Sequence, residues 1–203
     1  MGAVDGDEIE RMRRGYIITH PDVIIDASVP VPRWKLSERG RERMHKMLAL
    51  PWIPDIRAVF CSSEQKAMDG AAILANHLHL PYTLLHDLGE VDRSSTGYLP
   101  REEHDAAARL LFATPDQSVR SWETALHAQQ RFAAAVDKVV RLAPEQGDYA
   151  IVTHGGVATF FLCLLKHLPI RMDQAPQAVN GGCYYCFDSS SRMLLQDWQV
   201  IDP

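Results

Sequence analysis

The sequence has no long hydrophobic run, no surplus of positive charge and few cysteines. None of its apolar stretches approaches the ~18 residues that a membrane-spanning helix needs, so a membrane partner is not expected. The 203 residues carry a formal charge of −5. A nucleic-acid partner gripped through its phosphates is therefore excluded, and any basic pocket must be local. A basic and then apolar leader is also missing: Met1 to Glu10 is acidic, and a cytoplasmic location is expected. The four cysteines fit that location. Cys61 and Cys163 lie in apolar segments and read as small buried hydrophobes. Cys183 and Cys186 have CxxC spacing, but in a strand pattern residues three apart point to opposite faces, which argues against a redox or zinc motif. His77 and His79, two apart on a helix, also point away from each other and read as rim histidines.

The sequence does contain an ordinary share of apolar residues, 46%, arranged as alternating strand and helix patterns. Residues 1–14 are charged and read as a flexible lead-in; residues 15–203 read as one α/β domain. Gly15-Tyr-Ile-Ile-Thr-His-Pro-Asp22 is a short β-branched strand that delivers His20 into a loop. The prolines between Pro21 and Pro32 then mark an extended loop. Ser37 caps a helix running to about Leu50, Arg57 to Cys61 is a strand, and Glu64 to His79 is a helix with Ala67, Ala71, Leu74 and Leu78 in one stripe. Pro81 to His86 reads as a third strand and Asp87 to Gly97 as a polar loop. Helical spacing covers Arg101 to Phe112 and Ser121 to Leu142. Asp148 to Thr153 is a strand, Gly156 to His167 a buried helix, and Cys183 to Trp198 a terminal hairpin with its turn at 188–191. The pattern predicts a three-layer α/β/α sandwich with a mostly parallel central sheet.

Two strands end in Thr-His, at Thr19-His20 and at Thr153-His154. In open α/β sheets ligands gather outside the carboxyl ends of the strands, so the two histidines are expected to face one another across a crevice. Gly155 and Gly156 let the backbone turn and present amide N–H groups at a helix start, a setting suited to an anion.

The order of strand-end His20, Trp34-Lys-Leu-Ser-Glu-Arg-Gly40, Cys61-Ser-Ser-Glu-Gln-Lys-Ala67, Leu88-Gly-Glu90, Thr153-His-Gly-Gly156 and Asn180-Gly-Gly182 resembles the histidine phosphatase superfamily, the phosphoglycerate-mutase-like family. The resemblance spans Tyr16 to Asp188. It implies phosphoryl transfer through a phosphohistidine, with no cofactor and no metal. His20 would be the nucleophile, His154 would bind the transferring group, and Glu90 would be the general acid that later activates water. Thr19, Lys66, Arg93, Gly155 and Gly156 would hold the phosphate.

Two departures accompany it. The family's Arg-His-Gly reads Thr19-His20-Pro21, and the second phosphate-binding arginine is represented by Lys66. Lysine offers a point charge where arginine offers a fork. Arg93 either restores part of the positive pocket or forms a surface salt bridge with Asp87 or Asp92. Glu123 resembles a Gly-Glu-Ser element of the family and is also explained as a carboxylate complementing a helix dipole. Trp34 and Tyr98 are loop aromatics that either line a pocket or simply pack.

Three functions are thus in play. One is a metal-independent phosphomonoesterase acting on a small phosphorylated metabolite; another is a weak or inactive relative that binds a phosphorylated or other anionic ligand; the third is a mutase. Inorganic phosphate is a further expected ligand, and a homodimer is left open.

Overall fold

A computed structural model describes residues 12–177 and 180–203. In chain order its elements are β1 (Arg14–Thr19), α1 (Glu38–Met47), β2 (Ile56–Cys61), α2 (Gln65–Leu78), β3 (Tyr82–Leu84), α3 (Arg101–Ala113), α4 (Ala125–Leu142), β4 (Asp148–Thr153), α5 (Gly155–Leu165), β5 (Cys183–Asp188) and β6 (Leu194–Val200). The strands form one sheet in the order β3-β2-β4-β1-β5-β6. The first four in that order run parallel, and β5 and β6 join antiparallel as the expected hairpin. Most of the sheet is parallel, as the alternating pattern implies.

Strands covered on both faces read as continuous apolar runs, and β4 is buried at every position. Successive residues still serve opposite layers. Ile17, Phe60, Tyr149, Ile151, Tyr185 and Phe187 join Phe132, Val136 and Val139 of α4 and most of α5 in one core. Tyr16, Ile18, Val59, Cys61, Ala150 and Val152 join Met44 and Met47 of α1 and Ala67, Ala71 and Leu74 of α2 in the other. Helices on both faces of a central sheet make the three layers.

Several boundaries move. Helix α4 starts at Ala125 instead of Ser121, because Arg120 and Ser121 adopt left-handed φ values of 53° and 62° and Thr124 accepts the cap bond from the His127 N–H. Helix α1 ends at Met47, short of Leu50. Helix α5 runs Gly155–Leu165, one residue earlier at its start and two shorter at its end. Of the lead-in expected over 1–14, residues 1–11 lie outside the described residues; Arg13 donates to the carbonyls of Val140 and Pro144, and Arg14 opens β1. All four cysteines are buried and free, and His77 and His79 are exposed.

The buried guanidinium of Arg43 ties together the segments around His20. It donates to Asp22 at 2.9 Å, to Asp202 at 3.0 Å and to the Gly181 carbonyl at 3.2 Å. Gly181 is held at φ +70°, where a Cβ would come within 2.3 Å of the His20 carbonyl, and Gly182 donates its N–H to that same carbonyl. Removing one partner of a buried ion pair leaves the others uncompensated. Arg43→Met should therefore lower unfolding free energy by about 3 kcal/mol, given that both carboxylates keep a little solvent contact. Denaturant titration checks this, and an unchanged midpoint contradicts it.

Candidate active site

Parallel pairing of β1 with β4 sets Thr19 beside Thr153, so His20 and His154 leave the sheet side by side. His20 donates its backbone N–H to the Thr153 carbonyl at 3.0 Å. The two rings stand edge to face with centroids 5.2 Å apart. His20 Nδ1 lies 2.9 Å from the Pro21 carbonyl, a bond only an N–H can make; the proton is therefore assigned to Nδ1 and the lone pair to Nε2. His154 is fully buried, with Nε2 2.7 Å from Ser62 Oγ. That oxygen also accepts from the Glu64 N–H; with its own hydrogen assigned to Nε2, the His154 proton is assigned to Nδ1. Nδ1 has no hydrogen-bond partner among the described residues. A buried donor is thus left unpaired on the ring that stands edge to face with His20.

Both rings are held neutral. Burial, the neighbouring His154 and the Lys66 ammonium pull His20 down to about 3. Burial lowers His154 as well, and Glu64 opposes that shift without reversing it.

Glu64, at the start of α2, reaches into the same space. Its Oε1 accepts the Glu90 N–H at 2.9 Å and lies 3.4 Å from His154 Nε2, while Oε2 pairs with the Lys66 ammonium. Burial alone would raise this carboxyl, but His154, Lys66 and the Glu90 N–H outweigh it and hold it at about 2. Lys66 also donates to the Val31 carbonyl at 3.1 Å.

Of the residues expected to hold phosphate, Lys66 and Gly155 are at the site, the former already paired. Three others need correction. The Thr19 hydroxyl is fully used by β5, donating to the Cys183 carbonyl at 3.2 Å and accepting the Cys183 N–H at 3.0 Å. The Gly156 N–H is taken by Glu90, whose carboxylate accepts from Gly156 and Val91 at 3.0 Å and from Val157 at 3.1 Å. A Cβ at Gly156 would sit 2.5 Å from Glu90 Oε1, so glycine serves that approach. Arg93 points to His104 and lies over the Trp122 ring at 5.6 Å; it pairs with neither Asp87 nor Asp92.

Sequence reasoning passed over Glu64, Ser62 and Arg131. Arg131 reaches from α4 to the carbonyls of Asp87, Gly89 and Glu90, and its guanidinium is gripped by Glu123 at 2.8 and 2.9 Å. Glu123 also accepts the Asp92 N–H at 3.1 Å. It braces the Glu90 loop instead of complementing a helix dipole. A signal was available for Ser62 and Glu64, which flank Ser63 at the end of a strand; none was available for Arg131, 41 residues beyond Glu90.

A cleft of about 1230 Å³ lies between the proline-rich loop at 27–32 and the polar loop, with Glu64, Glu90, Arg93 and Tyr98 on its lining. Trp34 packs on Tyr98, ring centroids 5.7 Å apart. A smaller apolar cavity of about 220 Å³ opens beside Glu90, walled by Leu111, Phe112, Trp122 and Phe160. Among the described residues no three His, Cys, Asp or Glu side chains converge to hold a metal ion, and no helix is long and apolar enough to cross a membrane.

Two histidines at adjacent strand ends, a carboxylate capping the next helix and a six-stranded α/β sheet define a phosphoglycerate-mutase-like protein. The chain belongs to the histidine phosphatase superfamily (branch 1), whose family model matches residues 31–192. The match begins beyond His20, where the sequence departs from Arg-His-Gly. Solved structures share the fold at low identity. A mycobacterial glucosyl-3-phosphoglycerate phosphatase with inorganic phosphate aligns with TM-score 0.72 and 19% identity over 92% of this chain and 94% of its own. Bacillus stearothermophilus YhfR gives 0.71 and 18% over 91% and 95%, and a phosphoglycerate mutase from Bacillus anthracis 0.69 and 14% over 94% and 92%. A comparison with curated proteins returned no match.

The lowered histidine and carboxyl values fix how stability varies with pH. Below pH 6.5 the unfolded chain takes up a proton on His20 that the folded chain refuses until about 3, so stability is lost as pH falls through that window. Glu64, ordinarily 4.5, adds a loss in the same direction between 4.5 and about 2. Each histidine contributes up to about 1.4 kcal/mol per pH unit. Denaturant midpoints of wild type should fall more steeply from pH 6.5 to 4.5 than those of His20→Gln, and equal slopes would refute the neutral buried pair.

Proposed function

We propose that the protein is a metal-independent phosphomonoester hydrolase acting through a phosphohistidine on a small phosphorylated metabolite. The observation that carries this reading is the anchored His20 ring, with Nδ1 tied to the Pro21 carbonyl, standing edge to face with the His154 ring, whose Nδ1 has no partner among the described residues. His20 Nε2 attacks phosphorus and the P–O bond to the leaving group breaks. The His154 N–H donates to a non-bridging oxygen as charge builds there. Glu90 gives its proton to the departing oxygen, then takes one from the water that cleaves the N–P bond and regenerates His20. Glu90 Oε2 accepts one N–H and Oε1 two, so Oε2 is the oxygen with room for that proton.

The cavity beside Glu90 is apolar, which makes an aryl phosphate a suitable probe. Four free cysteines support a reducing, cytoplasmic location. A second reading, a non-catalytic binder of an anionic ligand, is favoured by one observation: Lys66 is already neutralised by Glu64. A mutase fits less well, since returning the phosphoryl group needs stronger retention than this charge-balanced pocket offers.

Aryl phosphate hydrolysis without added metal separates the readings. Wild type should turn over at mildly acidic to neutral pH, His20→Asn should lose at least about a thousandfold in kcat, and a phosphoenzyme should be trapped on His20 alone. Turnover that survives His20→Asn would contradict the mechanism; no turnover with phosphate still bound would favour the binder.

A further inference from the structure

The fixed charges around the two histidines cancel. The Lys66 ammonium is matched by the Glu64 carboxylate, and His20 and His154 add no charge at neutral pH. A phosphomonoester above its second ionisation, about pH 6, brings two negative charges to this setting. The carboxylate standing in the way is Glu64: it is mostly buried, borders the cleft, holds the Lys66 ammonium and lies 3.4 Å from the His154 ring. Lys66 is itself buried and, among the described residues, has only Glu64 and the Val31 carbonyl as hydrogen-bond partners. It can reach a ligand only by weakening its bond to Glu64.

We propose that Glu64 is a specificity-determining residue that restricts this site to singly charged phosphomonoesters by keeping Lys66 in an internal ion pair. The inference rests on the reading of the site as a phosphomonoester pocket. A dianion meets Glu64 repulsion at close range, while a monoanion halves that repulsion and still accepts from the His154 N–H. The groups facing Glu64 are Lys66 on its own helix, His154 at the head of α5, His20 at the end of β1, and Glu90 with Arg93 on the loop after β3; His86 lies nearby on Ser63. All of these are shared by wild type and a Glu64 variant, so a difference between the two reports on Glu64.

Calorimetric binding of inorganic phosphate to wild type and Glu64→Gln tests this without requiring turnover. The glutamine keeps an oxygen for the Glu90 N–H, which preserves the loop. Glu64→Gln should bind phosphate at least tenfold more tightly at pH 8, and it should lose most of the weakening that wild type shows between pH 6 and pH 8. The gain should disappear in Glu64→Gln/Lys66→Met, because the freed ammonium produces it. No gain at pH 8, or a gain that persists in the double variant, overturns the role of Glu64 even if aryl phosphate is hydrolysed. Phosphate bound by neither protein at either pH overturns the phosphomonoester reading itself, and the Glu64 role with it.

Discussion

The parallel pairing of β1 with β4 at the centre of the sheet is the constraint on which the site depends. Its register puts Thr19 level with Thr153, and the backbone bond from His20 to the Thr153 carbonyl carries the alignment one residue past the strand ends. A one-residue slip would turn both apolar faces around and separate the histidines, so the two hydrophobic cores specify the site as firmly as they specify the fold. Around this axis Arg43 closes the segments beyond β1 and before β5, and the Arg131–Glu123 pair fixes the loop bearing Glu90. Each of the two chemical groups therefore has its own guanidinium behind it, Arg43 buried and Arg131 half-buried.

The electrostatics distinguish this pocket from a simple anion trap. The helix start at Gly155, which would ordinarily attract an anion, is capped from within by the Glu90 carboxylate, and the lysine is neutralised by Glu64. Internal carboxylates thus occupy donors that a phosphate would otherwise recruit. The His154 N–H remains uncommitted, and hydrogen bonding from a neutral ring in a dry site is worth more than the same contact in water.

Legibility in the sequence follows the range of the interaction. Strand ends at His20 and His154 were readable because a continuous apolar run announces where it stops, and Glu90 because Leu88-Gly-Glu90 resembles a motif of the family. Thr19 was misread as a ligand for the same reason it was noticed: it is the last residue of a strand, and its hydroxyl had a nearer partner in β5 that only the sheet order reveals. Arg93 had plausible partners within six residues, yet its contacts are His104 and Trp122, on elements whose placement local pattern does not give. The Glu64–Lys66 pair lies two apart in sequence, but its meaning depends on His154 and Glu90 arriving from 90 and 26 residues further on. The late start of α4 reflects two left-handed residues that no glycine announced.

The proline that replaces the family's glycine after His20 changes how the His20 ring is aimed. The ring is oriented by the carbonyl of the following residue, and there that carbonyl belongs to a buried proline. A pyrrolidine ring fixes its own φ and keeps the preceding residue out of helical conformations. Of the rotations that place the acceptor, ψ of Pro21 is the one left open, so part of the bearing of the imidazole is written into covalent geometry before any ligand arrives. That part of the entropy of aiming is already spent in the resting protein.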